Sequence, residues 1–228
     1  MALILTFNTP PINFRFLSKY NFEQIDDLTY KLVSKANEEP ITYINEYAFY
    51  GCTSLKSIVI PNSVNTIGNF AFYECTSLKS IVIPDSVKTI GNHAFYNCKS
   101  IKSVVIPDSV TNICSDAFSS CTSLQSVVIP DSVNNIGYET FSSCTSLQSV
   151  VIGNSVKSIG NDAFWGCTSL ESIVIPDSVK TIGDYTFTGC ISLKIITIDG
   201  QIIEYLEKYF ETNYPEIYLE FTHQYLLK

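Results

Sequence analysis

Seven of the eight cysteines in this chain recur at a fixed interval of 23 residues. Around them the sequence repeats a unit that reads roughly I-G-x-x-A-F-x-x-C-T-S-L-x-S-I-V-I-P-D-S-V-x-x, from about Ile44 to Gly200. A unit of this length cannot bury its own apolar side chains, so neighbouring units must stack and share one continuous core. The period therefore predicts a solenoid. The repeated cysteines are Cys52, Cys75, Cys98, Cys121, Cys144, Cys167 and Cys190.

Each unit is predicted to contribute one short β-strand. The segment Ser80 to Ile83 is rich in β-branched residues, and its alternation directs Ile81 and Ile83 inward and Ser80 and Val82 outward. Pro84 follows, and a proline cannot donate to the hydrogen-bond ladder, so it marks the end of the strand. One strand per unit gives a parallel sheet. Seven strands at about 4.8 Å each make a face roughly 30 Å long.

One short segment and three other columns predict how each unit closes. The segment from Asn92 to Cys98 is too short for a full helix, so we expect about one helical turn on the outer face. The phenylalanines are expected to stack in the core, and the serines to bond loop amides. The glycines fit a positive φ or a close backbone approach, with Asn45 and Cys114 as exceptions. These columns are Phe49, Phe72, Phe95, Phe118, Phe141, Phe164 and Phe187; Ser63, Ser86, Ser109, Ser132, Ser155 and Ser178; and Gly68, Gly91, Gly137, Gly160 and Gly183.

The unit resembles the BspA-like, or treponemal-type, leucine-rich repeat over about residues 41 to 200. Leu78, Ile81, Ile83, Val87 and Ile90 have the leucine-rich spacing, and the string I-V-I-P-D-S-V-K-T-I-G is near the family consensus. The resemblance implies an α/β leucine-rich-repeat solenoid with a parallel sheet on one face and short helical turns on the other. Members of the family are similar to surface proteins of bacteria and parasitic protists, involved in adhesion to host proteins or in aggregation.

The two ends of the chain depart from the repeat, as capping segments of a solenoid do. We predict an N-terminal cap over residues 1–40, with a helix from Asn21 to about Lys35 that places Phe22 and Leu32 on one face. The solenoid of about seven units occupies residues 41–200. Residues 201–228 are predicted to form a C-terminal cap, a helix followed by a strand.

No pattern of catalytic, metal-binding or cofactor-binding residues stands out. The repeated cysteines are interpreted as reduced thiols stacked in the core, and there is no C-x-x-C pair. His93 and His223 are the only candidate bases, and neither has a recognisable nucleophile motif beside it. The aspartate column after the proline is interpreted as turn chemistry, with weak Ca²⁺ binding as the alternative. We therefore predict a protein that is not an enzyme.

Charge and hydropathy exclude two classes of partner. The net charge is −8 and Arg15 is the only arginine, whereas nucleic-acid binding relies on patches of lysine and arginine. No apolar run reaches the roughly 18 residues that a membrane span needs. The first residues lack the features of a signal peptide, so we expect a cytoplasmic location, with the cell surface as the alternative that the resemblance implies.

The leading functional hypothesis is a protein–protein interaction module that binds an unidentified protein or other polymer. The alternatives are a self-associating structural protein and an intracellular adaptor whose first 40 residues recruit another factor. The favoured surface is the sheet face, where an apolar stripe would be exposed. The second is the outer turns, with Tyr73, Tyr96 and Trp165. The sheet-face candidates are Val59, Val82, Val105, Val128, Val151 and Val174, with Ser80, Ser103 and Ser126 beside them.

Overall fold

A computed structural model describes residues 3–7, 20–26, 29–34, 40–193 and 195–198. Two sheets run along the repeats, and the strands that the repeats contribute to each sheet are parallel. The larger sheet has ten strands and the smaller has seven, and the repeat strands of each stand in chain order. Within the repeats, successive strands of one sheet are therefore neighbours in space, as expected of a solenoid.

The larger sheet holds the strands that the sequence predicts. Its repeat strands are β5 Leu55–Val59, β7 Ser80–Val82, β9 Ser103–Val105, β11 Ser126–Ile129, β13 Ser149–Ile152, β15 Ser172–Ile175 and β17 Ile195–Ile198. Equivalent residues pair across neighbouring strands, for example Val128 with Val151. The register thus equals the 23-residue period, and the predicted seven parallel strands are confirmed.

The smaller sheet was not predicted. It consists of two-residue strands in which a tyrosine, threonine, asparagine or serine precedes a buried isoleucine, and Ile67 pairs with Ile90 in this sheet. A run of two residues is too short to show alternation, so the sequence pattern gave no signal. Its strands are β4 Tyr43–Ile44, β6 Thr66–Ile67, β8 Thr89–Ile90, β10 Asn112–Ile113, β12 Asn135–Ile136, β14 Ser158–Ile159 and β16 Thr181–Ile182.

The predicted helical turns on the outer face are wrong for residues 40–193, where the chain forms turns and no helix. Alternate N–H groups donate to the next unit instead of to a residue four positions back. Phe49 N donates to Ala71 O at 2.7 Å, and Phe72 N to Ala94 O at 2.8 Å. The N–H groups between them close local turns, as Tyr50 N does on Tyr47 O at 3.2 Å. Bonding between units thus replaces the helix.

The predicted helix from Asn21 to Lys35 is also wrong. The structure has β1 at Leu3–Phe7, β2 at Tyr20–Asp26 and β3 at Thr29–Ser34. Strand β1 pairs antiparallel with β5 and with β3, and β3 pairs antiparallel with β2. The edge of the first repeat strand is therefore covered by strand pairing. The capping role of residues 1–40 stays a prediction, and the helix and strand predicted in 201–228 lie outside the described residues.

The core is a stack of identical side chains, as predicted. The phenylalanine rings are at most 2% exposed, and their centroids are 5.0 Å apart between Phe49 and Phe72 and 5.8 Å apart between Phe164 and Phe187. All eight cysteines are free thiols. The thiol of Cys75 donates to Phe49 O at 3.1 Å, and Cys190 donates to Phe164 O at 3.2 Å. Six thiols of the repeat column, from Cys75 to Cys190, thus link their unit to the preceding one.

The glycine and serine columns join neighbouring units. The five glycines of this column have no positive φ; a Cβ on Gly183 would lie 2.3 Å from Asn161 N, so close approach is the reason for this column. The φ of Cys114, which stands in the same column, is not positive either. The serines bond carbonyls and not the amides that the sequence predicts: Ser86 Oγ donates to Val64 O at 2.6 Å. The hydroxyl of Ser178 is buried without a partner among the described residues.

Candidate interaction surfaces

The sheet face carries an exposed apolar stripe, which we call the valine stripe. The pleat directs one residue of each strand into the core and the next into solvent, so Val104 is 5% exposed while Val105 is 76% exposed. The serines before these valines also face outward. The members of the valine stripe are Val59 at 57%, Val82 at 74%, Val105 at 76%, Val128 at 55%, Val151 at 57% and Val174 at 57% exposure.

Charge changes along one side of the valine stripe. The residue before each outward serine is a lysine in the first three units, a glutamine in the next two and a glutamate in the last. Beside Val82 and Val105, the aspartates Asp85 and Asp108 line a shallow groove of about 480 Å³. The six flanking residues are Lys56, Lys79, Lys102, Gln125, Gln148 and Glu171.

The outer turns expose side chains because each turn contains two left-handed residues. His93 has φ 51° and Asn97 has φ 60°, and the same two positions are left-handed or glycine in most units. Asparagine and glycine tolerate this conformation, whereas tyrosine and phenylalanine do so rarely. In this protein the backbone hydrogen bonds to the next unit stabilise the left-handed conformation. No sequence motif indicated this conformation, because few of these positions are glycine.

Two columns of rings project from these turns in the first three units and form what we call the outer aromatic cluster. Tyr50 stacks on Tyr73 at 4.7 Å, and Tyr73 stacks on Tyr96 at 4.8 Å. In the second column Phe70 lies between Tyr47 at 4.9 Å and His93 at 4.7 Å. The cluster consists of Tyr47, Tyr50, Phe70, Tyr73, His93 and Tyr96.

Both columns stop at the same unit, and a recess follows, which we call the outer groove. Where the next tyrosines would stand the chain has Ser119 and Ser142, and the column resumes at Trp165. The recess has a volume of about 340 Å³. Trp165 is 45% exposed. The residues that line the outer groove are Tyr96, Ser119, Ser120, Tyr138, Glu139, Ser142, Ser143, Asp162 and Trp165.

Carboxylates stack beside the outer groove where the second column loses its rings. Asp116, Glu139 and Asp162 occupy the positions after His93. Burial, and then the charge of Glu139, raise the pKa of Asp116 to about 6, and the same two causes raise the pKa of Asp162. A hydrogen bond to Glu139 raises the pKa of Tyr138 to about 12. The stack is therefore electrostatically unfavourable as it stands.

The histidine at the end of the cluster does not compensate this charge. His93 Nδ1 lies 3.8 Å from Asp116 Oδ1, which is too long for a hydrogen bond, and burial lowers the pKa of His93. Among residues 40–193 this is the one contact within 4.0 Å between a basic and an acidic side chain.

The chemistry of the remaining groups is structural. Burial raises the pKa of Cys52 to about 11 and that of Cys190 to about 12, so these thiols are protonated and poor nucleophiles. Asp131, from the aspartate column, accepts the N–H of Asn154 at 2.6 Å. Within the described part of the chain, no cluster of three or more His, Cys, Asp and Glu side chains is arranged to hold a metal ion.

The structure brings the predicted sheet-face residues together on one surface, and it separates the outer-turn residues. Tyr73 and Tyr96 belong to the outer aromatic cluster, while Trp165 faces Tyr96 from the other end of the outer groove. Sequence reasoning missed the groove itself, Tyr138 and the carboxylate stack. The sequence signal that could have indicated the groove is that both outer columns change residue type at the same unit. The binding role of all these residues stays a prediction.

Comparisons with known proteins show which proteins this chain is similar to. A family model of the BspA-type leucine-rich repeat region, with six copies, matches residues 15–148 and 134–226. A crystal structure of a leucine-rich repeat protein from T. pallidum is 33% identical, covers 79% of this chain and 81% of its own, and has a TM-score of 0.64.

A leucine-rich repeat protein from Eubacterium ventriosum is 25% identical with a TM-score of 0.58, covering 77% of this chain and 48% of its own. None of the curated proteins is similar to this chain in sequence. In the described residues, no helix has the length and apolar character that crossing a bilayer requires.

Proposed function

Because this chain belongs to the BspA-type leucine-rich repeat family, we propose that it is a non-catalytic protein-interaction module and that the valine stripe is its contact surface. The observation that carries the proposal is the continuous row of six valines that are 55–76% exposed. A contiguous apolar surface on a folded chain usually marks an interaction site. Covering each of these side chains would contribute about 1–2 kcal/mol.

The mode of contact follows from the sheet. Strands β7, β9, β11, β13 and β15 each have a partner on both sides, so their backbone donors and acceptors are used. A partner therefore cannot add a strand in the middle of this face and must contact the side chains. Lys56, Lys79 and Lys102 flank half of the stripe, which favours a folded protein with an apolar patch bordered by acidic groups.

Self-association is the second candidate function, and the flanking charges support it. A two-fold axis through the centre of the stripe would set Lys56 of one copy opposite Glu171 of the other. The valines would then meet one another, as in the isologous interface of a dimer. Adhesion to a host protein is the setting that the family resemblance suggests for either arrangement.

The test is the double substitution Val105→Arg with Val128→Arg. Arginine at these positions places two charges at the centre of the proposed interface. The matched control is Thr111→Arg with Asn134→Arg, because lysine already occupies the same column at Lys88 and Lys157. Sedimentation equilibrium of each protein measures self-association, and affinity capture followed by a binding assay with the purified partner measures external binding.

We expect the valine variant to weaken the association about tenfold or more, while the control variant binds as the unmodified chain does. A concentration-dependent dimer that is lost only in the valine variant would establish self-association as the function of the stripe. Equal binding by both variants would contradict the proposed contact surface.

A further inference from the structure

The outer groove lies away from the valine stripe and has features that the proposed function does not use. It interrupts an aromatic column: rings stack at 4.7–4.8 Å up to Tyr96, two serines follow, and Trp165 ends the gap. The ring face of Tyr96 that points along the column is therefore not covered by another ring of the same column. Two stacking positions are open between Tyr96 and Trp165.

The floor of the outer groove carries polar groups without partners. Ser119 is 3% exposed and Ser142 is 4% exposed, and both line the groove. Their backbone atoms are bonded, as in the bond from Ser142 N to Glu139 O at 3.1 Å. No side-chain hydrogen bond joins either hydroxyl to another residue in 40–193. A serine hydroxyl can both donate and accept a hydrogen bond, so these hydroxyls favour a polar occupant.

The wall of the outer groove supplies negative charge without a counter-ion. Glu139 and Asp162 line the groove, and Asp116 stands next in the same stack. Repulsion between neighbouring carboxylates contributes to the raised pKa values of Asp116 and Asp162. A cation placed between these carboxylates would remove that repulsion.

We propose that the outer groove binds the guanidinium group of an arginine side chain presented by another protein. Guanidinium is planar, so it can occupy an open stacking position against Tyr96 or Trp165. Its N–H groups fit carboxylate and hydroxyl acceptors, which Glu139, Asp162 and the serine hydroxyls provide. An ammonium group has neither the plane nor the fixed fork of donors, so lysine binds less well.

Binding at this site can be followed by intrinsic fluorescence, because Trp165 is the only tryptophan of the chain. The probe is a short neutral-capped peptide with two arginines, titrated into the full chain while the fluorescence of Trp165 is recorded. Matched peptides replace arginine by lysine or by citrulline, which keeps the planar shape without the charge. We expect saturable quenching with the arginine peptide, about tenfold weaker binding of the lysine peptide and no saturable binding of the citrulline peptide.

Two variants test the residues. Glu139→Gln with Asp162→Asn removes two charges, and Asp85→Asn with Asp108→Asn removes the same number beside the valine stripe as a control. Asn and Gln keep the size of the side chain at the left-handed positions of Glu139 and Asp162. We expect the groove variant to bind the arginine peptide at least about tenfold more weakly and the control to bind it unchanged.

A filling variant keeps the test valid if the charge variant folds poorly. Ser119→Tyr with Ser142→Tyr continues the column that Tyr50, Tyr73 and Tyr96 begin, and should abolish binding while thermal unfolding stays cooperative. Equal affinity for the arginine and citrulline peptides, or unchanged affinity in either groove variant, would overturn the proposal. Because the valine stripe is intact in these variants, failure here is distinct from failure of the proposed function.

Discussion

Replacing Asp116 by asparagine should stabilise the fold at neutral pH, and the gain should vanish in acid. The carboxyl of Asp116 is buried, with its side chain 10% exposed, and it stands beside Glu139. Its pKa is raised from 3.8 to about 6. A difference of about two pKa units corresponds to about 3 kcal/mol, an upper limit because solvent screens part of the interaction. We therefore expect a gain of about 1–2 kcal/mol near pH 8.

The sign follows from proton linkage. The folded chain holds the proton on Asp116 more tightly than the unfolded chain does, so ionisation above about pH 6 disfavours folding. As pH falls through about 6 towards about 4, the unmodified protein recovers this free energy. The asparagine variant lacks this contribution of position 116 to the pH dependence. The gap in the free energy of unfolding between the two proteins should therefore close near pH 4.

Urea denaturation at about pH 8 and about pH 4, followed by circular dichroism, measures the gap in the free energy of unfolding at each pH. Asparagine also tolerates φ 57° better than most residues, but that contribution is independent of pH and only the difference between the two conditions tests the electrostatic argument. Asp108→Asn, at an exposed turn position, is the control and should show no comparable pH-dependent gain. A gain from Asp116→Asn that is equal at both pH values would refute the reasoning.

Three further outcomes are expected from the core. Phe118→Ala should lower the free energy of unfolding by about 3–5 kcal/mol in urea denaturation, because the ring is fully buried between two others; a loss below about 1 kcal/mol would contradict the stacked core. Thiol titration without reductant should find all eight cysteines free after denaturation, and in the native protein the partly exposed Cys52 and Cys114 should react first. Gly183→Ala should destabilise the fold more than Gly137→Ala, because the added Cβ would lie 2.3 Å from a backbone nitrogen at Gly183 and 3.1 Å at Gly137; equal melting temperatures would count against close approach.

The changes of residue type between units at the outer groove show which part of this site can be predicted from the sequence and which part requires the structure. Ser119 and Ser142 could be seen in the sequence as breaks in a tyrosine column, and Asp116, Glu139 and Asp162 as breaks in an aromatic one. Each break alone is an ordinary polar residue at a variable position. The stacked geometry of the rings, and the three-residue offset that puts the two columns side by side, are needed before the breaks become one recess.

The sequence by itself determined the stacking of units, the register of the larger sheet and the composition of the core. A fixed period forces equivalent residues to meet in neighbouring units, so Phe49 meets Phe72 and Val128 meets Val151 whatever the path of the chain between them. The alternation of Ile81 and Val82 likewise fixed which side chains face solvent, because the pleat has a period of two.

Only the tertiary structure decided the outer face and the start of the chain. Local spacing from Asn92 to Cys98 is compatible with a helical turn, but the carbonyl of Ala117 in the next unit accepts the N–H of Phe95 at 2.8 Å, and this bond selects the left-handed turn. The apolar residues between Asn21 and Lys35 fit a helix by their spacing, yet an unpaired strand edge at β5 favours strands that complete its ladder. In both places the deciding hydrogen-bond partner lies in another part of the chain, which local sequence patterns do not encode.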